Sequence, residues 1–506
     1  MLISGRTLGV VFALCVGGLA LENASLLAMP PVWDALAGTF APAIHLYETG
    51  FDLPALLAAP GYLEGGPNTH SLGLLTFVTL AALWSTGGEP ALYLPLLHGI
   101  QIGLGALAAT ATFALARRLL GIATAVAVTA SLLLIPVFRV QTGALHTEVA
   151  GAATTVLAVA SFATGRRGWT ITWVLLACWI KSFGLILVAA LGLLIVLDTG
   201  TSRSDRLRQV GAMAGPALAF EVVRWLAASG GPPMVGTFGA HLADVWRRLL
   251  WVPDVLGLVV LSLASGALWL RSRVRSDHDE VDRRAIHAIL LVPIAMLAFV
   301  VTAPLSGAEL IPLPRYYCWI LPLLLLATAL AVRDLAGRRA AAVVLTILAL
   351  FSLANRDGRF YPDAGTRLRL FSQAERSLEY LDFYRVQREA VRSVPESAGG
   401  RPTLVTRAEF YALSSPLMGW VDEPVGNATF VLSPPYDSAD VAELPDDFCV
   451  LDAGSNRYHG QARLGDILTS AARSGYRVTP IRHFQHGAWR GRLVRVVGPG
   501  ARDGGR

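Results

Sequence analysis

Charge is what this sequence has least of. Only 15% of its 506 residues are Asp, Glu, Lys or Arg, while 54% are hydrophobic, and soluble proteins carry about a quarter charged residues. The balance excludes an ordinary water-soluble globular chain and points to the membrane class. Lysine is nearly absent: of 42 basic residues only Lys181 is a lysine. Arginine in place of lysine is what a GC-rich genome produces, so the scarcity is bland and the exception is worth following. Four cysteines are scattered, Cys15, Cys178 and Cys318 in apolar runs and Cys449 in a polar tail. They define neither a disulfide framework nor a CxxC metal site. No His/Cys ligand cluster is present, so the sequence indicates no metal or other cofactor, although a metal stays possible.

Apolar runs long enough to span a bilayer fall near 7–26, 91–115, 120–137, 147–164, 169–180, 182–197, 209–227, 249–270, 286–303, 317–332 and 340–355. The first has Arg6 before it and no small-x-small cleavage site after it, so it reads as an uncleaved span rather than a signal peptide. With a cytoplasmic amino terminus, the inward connections carry sixteen arginines, among them Arg117, Arg118, Arg166, Arg167, Arg333, Arg338 and Arg339. The outward side carries six basic residues: Arg139, Lys181, Arg224, Arg247, Arg248 and Arg315. Basic loops resist translocation, and the bias places the carboxyl-terminal residues outside the cytoplasm. The formal net charge of +6 is therefore an orientation signal, not a nucleic-acid footprint. Residues 71–84 form another apolar stretch, but a span there would invert everything after it; they read as a short helix embedded in the first outer loop.

The expected fold is mainly α: a polytopic membrane helical bundle of about eleven spans over 1–355, with a small soluble α/β domain over 356–506. In that domain 375–394 has helical periodicity, 402–406, 428–432 and 448–452 read as short buried strands, and 466–475 reads as a helix. Residues 476–483 and 489–497 read as a closing β-hairpin. Nothing in the domain clusters like an active site, and its plain role is to cover or shape the outer face of the membrane part.

A charged group at membrane depth costs about 2.5–3.5 kcal/mol on insertion scales, so those near span ends need a reason to be there. They gather on the outer side. The first outer loop begins Pro30-Pro31-Val32-Trp33-Asp34-Ala35 and ends Gly65-Gly66-Pro67-Asn68-Thr69-His70. Gly143-Ala144-Leu145-His146-Thr147-Glu148 lies in the second, where Thr147 and Glu148 could simply cap the next span. Trp179-Ile180-Lys181-Ser182-Phe183-Gly184 is the turn between spans five and six, where a lysine could merely snorkel. Pro314-Arg315-Tyr316-Tyr317 opens span ten, where Arg and Tyr also serve as interface anchors. Other residues read as structural: His98 and Cys178 as satisfied interior groups, Glu221 and Arg224 as a pair on one helix face.

In its order, this set resembles the GT-C membrane glycosyltransferases that use lipid-phosphate sugars, including protein mannosyltransferases and the lipid A aminoarabinose transferase. Their first loop carries a catalytic carboxylate and then a His-Pro-Pro-like turn; where the family often has an acidic pair this chain departs with Asp34-Ala35, and where prolines follow the histidine it has Ser71-Leu72. The Lys-x-x-Gly turn at Lys181 and the Arg-Tyr-x-x-x-x-Pro element at Arg315 are similar to the family's. The resemblance implies transfer of a sugar from a polyprenyl-phosphate donor to an extracytoplasmic lipid, glycan or protein in the inner (cytoplasmic) membrane. Asp34 is then the candidate base and Glu148 a second catalytic acid group that positions the acceptor or holds Lys181. Lys181 and Arg315 clamp the departing phosphate, and His70 and Tyr316 join the substrate site. Inversion at the anomeric carbon is implied, with a retaining course left open. The expected partners are the donor and membrane lipid. Two other readings compete: a transporter or flippase, which inverted repeats would mark and which none here supports, and a non-catalytic scaffold whose tail binds a partner.

Overall fold

In a computed structural model the chain is mainly helical. The described residues are 4–32, 35–58, 72–198, 200–227, 245, 249–250, 252–272, 279–302, 314–358, 360–361, 380–405, 407–426, 428–430, 446–452, 464–486 and 489–499. Asp34 and His70 lie outside them.

The helices, in chain order, are α1 (Gly5–Glu22), α2 (Ala41–Glu48), α3 (Leu53–Ala58), α4 (Leu74–Thr86), α5 (Pro90–Leu120), α6 (Ile122–Leu134), α7 (Pro136–Gly143), α8 (Glu148–Ala163), α9 (Arg167–Ile180), α10 (Gly184–Leu197) and α11 (Arg203–Ala227). They continue with α12 (Pro253–Ser272), α13 (Glu280–Thr302) and α14 (Leu321–Ala354). Among the described residues, each of the eleven apolar runs is mostly helical. The last two are joined in α14, which breaks at Gly337, where φ is 88°, a backbone region that glycine enters without steric cost. Among the described residues, four helices (α1, α5, α13 and α14) are long and apolar enough to cross a membrane by length and composition, or five with the α6–α7 pair. That pair bends by 60° at Ile135-Pro136. The proline holds the preceding residue extended and opens α7 at its first position. Exposed Leu14, Leu21, Val343, Ile347 and Leu350 give the bundle the apolar outer surface that an integral membrane protein turns to lipid.

Helix α8 reads Glu-Val-Ala-Gly-Ala-Ala-Thr-Thr and is buried along nearly its whole length. Small side chains let neighbouring backbones approach closely, and α5, α9 and α13 all pack on it. At one end of the bundle arginines tie the helices together: Arg118 to Asp279 and Asp282, Arg284 to Asp198.

The other end carries the carboxyl-terminal domain: α15 (Tyr380–Ser397), β1 (Thr403–Val405), α16 (Arg407–Ser414), β2 (Ala428–Phe430), β3 (Asp447–Asp452), α17 (Leu464–Arg473), β4 (Arg477–His486) and β5 (Trp489–Val497). Its sheet runs β2-β1-β3-β5-β4, parallel among β2, β1 and β3 and antiparallel beyond. Alternation along β3 divides the core. Phe448 and Val450 face a cluster with Leu468 and Ala471 of α17, whereas Cys449 and Leu451 join Phe383, Val386 and Ala390 of α15. That second cluster also takes in Val32, Leu36, Phe40 and Ile44 of the first loop and Tyr93 of α5, so one apolar core runs from the domain into the membrane part. Within the described residues each expected strand and helix has its counterpart and β4 pairs with β5, whereas 375–379, 406, 431–432 and Gly487 lie outside them; α16 and the single turn Pro416–Met418 are additions.

Candidate active site

Glu148 opens α8 at the domain-bearing end and is 1% exposed. The turn delivering it puts Leu145 in the left-handed region at φ 49°, uncommon for a branched residue. Gln101 of α5 holds the turn, its amide donating to the carbonyls of Gln141 (3.1 Å) and His146 (2.8 Å), while the His146 ring meets the Gln141 side chain at 2.9 Å. Thr147 makes no side-chain cap for α8; its hydroxyl donates to Glu148 Oε2 at 3.3 Å. Thr147 therefore does not cap α8 with its side chain, while Glu148 stands as the acidic residue of the first turn.

Lys181 is the single extended residue between α9 and α10, so its side chain leaves the bundle axis where the helices break. Gly184 permits that break, since a Cβ there would lie 2.2 Å from the Cys178 backbone nitrogen. Lys181 Nζ donates to Glu148 Oε1 at 3.2 Å and sits 4.2 Å above the Tyr316 ring and 5.1 Å from that of Phe183. At 8% exposure it is paired rather than snorkelling, because an unpaired buried ammonium is costly.

Arg315 belongs to a 3-10 segment, Pro314–Trp319, whose seat is the face of α8. Gly151 lies under Trp319 so closely that a Cβ would fall 2.1 Å from the indole. This packing brings Arg315 Nε to 3.5 Å from Glu148 Oε1, with the arginine 1% exposed. Three stretches of chain distant in sequence thus meet on one carboxylate. With two cations and one anion the cluster is net positive, and it lines a narrow cavity with Ala35, Thr39, Leu145, His146 and Thr147.

The arrangement can bind an oxyanion, since two fixed donors in a low-dielectric site are oriented before the ligand arrives. Of the expected site residues, Glu148, Lys181, Arg315 and Tyr316 are brought together; Asp34 and His70 lie outside the described residues. Among the described residues, no group of three or more His, Cys, Asp or Glu is placed to hold a metal ion. His98 is buried and only half satisfied: its Nε2 lies 2.9 Å from the Met29 carbonyl, while its Nδ1 meets no hydrogen-bond partner among the described residues.

Sequence reasoning undervalued Arg224. It pairs with Glu221 (2.9 Å), as expected, but it also donates to the carbonyls of Cys178 (3.0 Å) and Trp179 (2.9 Å) and to Ser182 Oγ (3.2 Å). It thereby ties down the end of α9 on both sides of Lys181. Gly151 was missed as well. A buried arginine on an apolar run was the available signal for the first; glycine in a helix of alanines gave none for the second.

Fold and site together define a polytopic membrane protein with a buried cation pair at the end that bears its soluble domain. No family model matches the chain, and no curated protein sequence matches it. Among solved structures it is similar to ArnT from Cupriavidus metallidurans in the apo state, with 14% identity over 97% of this chain and 98% of that one and a TM-score of 0.46.

Proposed function

We propose that the chain is a membrane glycosyltransferase that moves a sugar from a polyprenyl-phosphate-linked donor to an extracytoplasmic lipid, glycan or protein. One observation carries the reading: Lys181 and Arg315 converge, buried, on Glu148 beside a cavity. A lipid monophosphate gains negative charge as its bond to the sugar breaks, and fixed cations away from water stabilise that charge strongly. Asp34 takes the proton of the acceptor hydroxyl as its oxygen bonds to the anomeric carbon, and the lipid phosphate leaves. This single displacement inverts the anomeric centre. Glu148 holds the two cations at a common spacing before the phosphate enters, Tyr316 steadies Lys181 through its ring face, and His70 contacts the substrate. The arginine bias supports a reaction and a carboxyl-terminal domain on the outer side of the cytoplasmic membrane.

The test uses the purified full chain with a polyprenyl monophosphate and the matching neutral polyprenol. The phosphate should bind at least about tenfold more tightly, the equivalent of one charge-assisted contact, and Lys181→Gln or Arg315→Gln should each remove that preference. Asp34→Asn should keep binding and lose transfer. Equal binding of the two lipids by the unsubstituted chain would overturn the reading.

A further inference from the structure

The carboxyl-terminal domain meets the first outer loop at one short, proline-containing segment. Trp420, 1% exposed, donates its indole N–H to the Pro31 carbonyl at 3.0 Å. Tyr93, in the first turn of α5, donates its hydroxyl to the Leu417 carbonyl. Between them Gly419 takes φ 76°, and a Cβ there would lie 3.0 Å from Leu94 and 3.6 Å from Pro30, so the domain's backbone runs directly against the loop. The Tyr384 ring packs 5.5 Å from that of Trp420 and fixes the indole.

Pro30 and Pro31 have no backbone N–H, so neither can donate to a neighbouring segment, and the Pro31 carbonyl takes its hydrogen bond from Trp420 of the domain. A few residues further on, Ala35 and Thr39 line the same cavity as Lys181 and Arg315. We propose that Trp420 is a positioning residue: through the Pro31 carbonyl it holds the Ala35–Thr39 wall against the cation pair, which makes the carboxyl-terminal domain part of the site rather than a cover over it. The proposal rests on the reaction proposed above only for its second readout.

The first readout needs no substrate. Cys15, Cys178, Cys318 and Cys449 are all buried, so a cysteine placed by Thr39→Cys reports over a low background with a small methanethiosulfonate reagent. Trp420→Phe keeps an aromatic ring, smaller than the indole, and removes the N–H. Labelling of Thr39→Cys in the full chain should then rise about fivefold, the population change expected from one lost hydrogen bond. A merely structural tryptophan would lower the melting temperature and leave labelling of the folded protein unchanged. Should Trp420→Phe fail to fold, Tyr93→Phe removes the donor to Leu417 from the other side of the junction and should raise labelling likewise. Unchanged labelling in the folded variant overturns the proposal. In the second readout, with a polyprenyl-phosphate sugar, Trp420→Phe should lower kcat with the affinity for polyprenyl monophosphate kept within about twofold, less than one lost contact would cost. An unsubstituted chain that turns over no such donor defeats the reaction, while the labelling still decides the role of Trp420.

Discussion

Alanine at Gly151 should push Arg315 off Glu148 without touching either residue. A Cβ on Gly151 would stand 2.1, 2.3 and 2.4 Å from three atoms of the Trp319 indole, whereas carbon atoms rest at about 3.5–4.0 Å. The ring must retreat by roughly 1 Å or more to restore that distance. It has little freedom to do so alone, being buried and packed edge-on against Phe183 at 5.8 Å. The retreat therefore passes to the Pro314–Trp319 segment that carries Arg315. From 3.5 Å, a shift of that size takes the guanidinium beyond ion-pair range of the carboxylate. Overpacking of this kind costs about 1–3 kcal/mol, readable as a lower melting temperature of the detergent-solubilised chain, and binding of polyprenyl monophosphate should weaken about tenfold with the loss of one cation. Gly103→Ala is the matched control, because a Cβ there meets nothing within 4 Å; it should be neutral or slightly stabilising through helix propensity. Gly151→Ala that melts and binds like the unsubstituted chain would refute the claim that Trp319 packing sets the position of Arg315.

Glu148→Gln leaves Lys181 and Arg315 buried without their carboxylate and should cost about 3–5 kcal/mol; polyprenyl monophosphate should raise the melting temperature of this variant more than that of the unsubstituted chain, and equal shifts would count against Glu148 as their counter-ion. Lys181→Arg preserves charge but should still weaken phosphate binding at least about tenfold, since a planar fork does not replace a point charge; calorimetric titration decides it. In the carboxyl-terminal domain, hydrogen bonds from Arg495 (2.8 and 2.7 Å), with a further one from Arg401 (3.0 Å), hold the Asp447 carboxyl below the usual aspartate range. Its contribution is then fully present above the unfolded-state value of about 4 and lost as pH falls through the lower folded value. Asp447→Asn should cost about 1 kcal/mol near neutrality, discounted for partial exposure, and melting curves of the two proteins should converge in acid.

The helices were legible because their signal is local. The described residues of the apolar runs are mostly helical, and the run 120–137 divides between α6 and α7 at the one proline it contains. Strands β1 to β5 were legible for the same reason, as short apolar runs bounded by turn residues. The site was half legible. Lys181, Glu148 and Arg315 stood out as charges in apolar surroundings, but their meeting on a single oxygen depends on which helix faces which, and no periodicity encodes that. It is settled instead by volume: Gly184 lets α10 start against α9, and Gly151 lets Trp319 lie flat on α8. Arg224 was underrated because the pairing with Glu221 could be read from spacing, while its bonds to the Cys178 and Trp179 carbonyls arise between helices. The short strands and helices read in the domain likewise gave no hint that Trp420 would bond to Pro31.

The solitary lysine now has a physical account. Arginine fills 41 of 42 basic positions, so composition alone would put arginine at 181 too. At that position, however, Glu148 Oε2 is engaged by Thr147, and Oε1 already receives Arg315. A second guanidinium would find no free carboxylate edge for its paired donors, and it would have to share the space above Tyr316 that the first already approaches at 5.4 Å. An ammonium needs only a point of contact: it reaches Oε1 at 3.2 Å, rests on the ring at 4.2 Å, and keeps rotatable donors for an oxygen arriving from the cavity. Shape as well as charge therefore specifies residue 181, and this is why Lys181→Arg and Lys181→Gln, one keeping the charge and one removing it, should both fail.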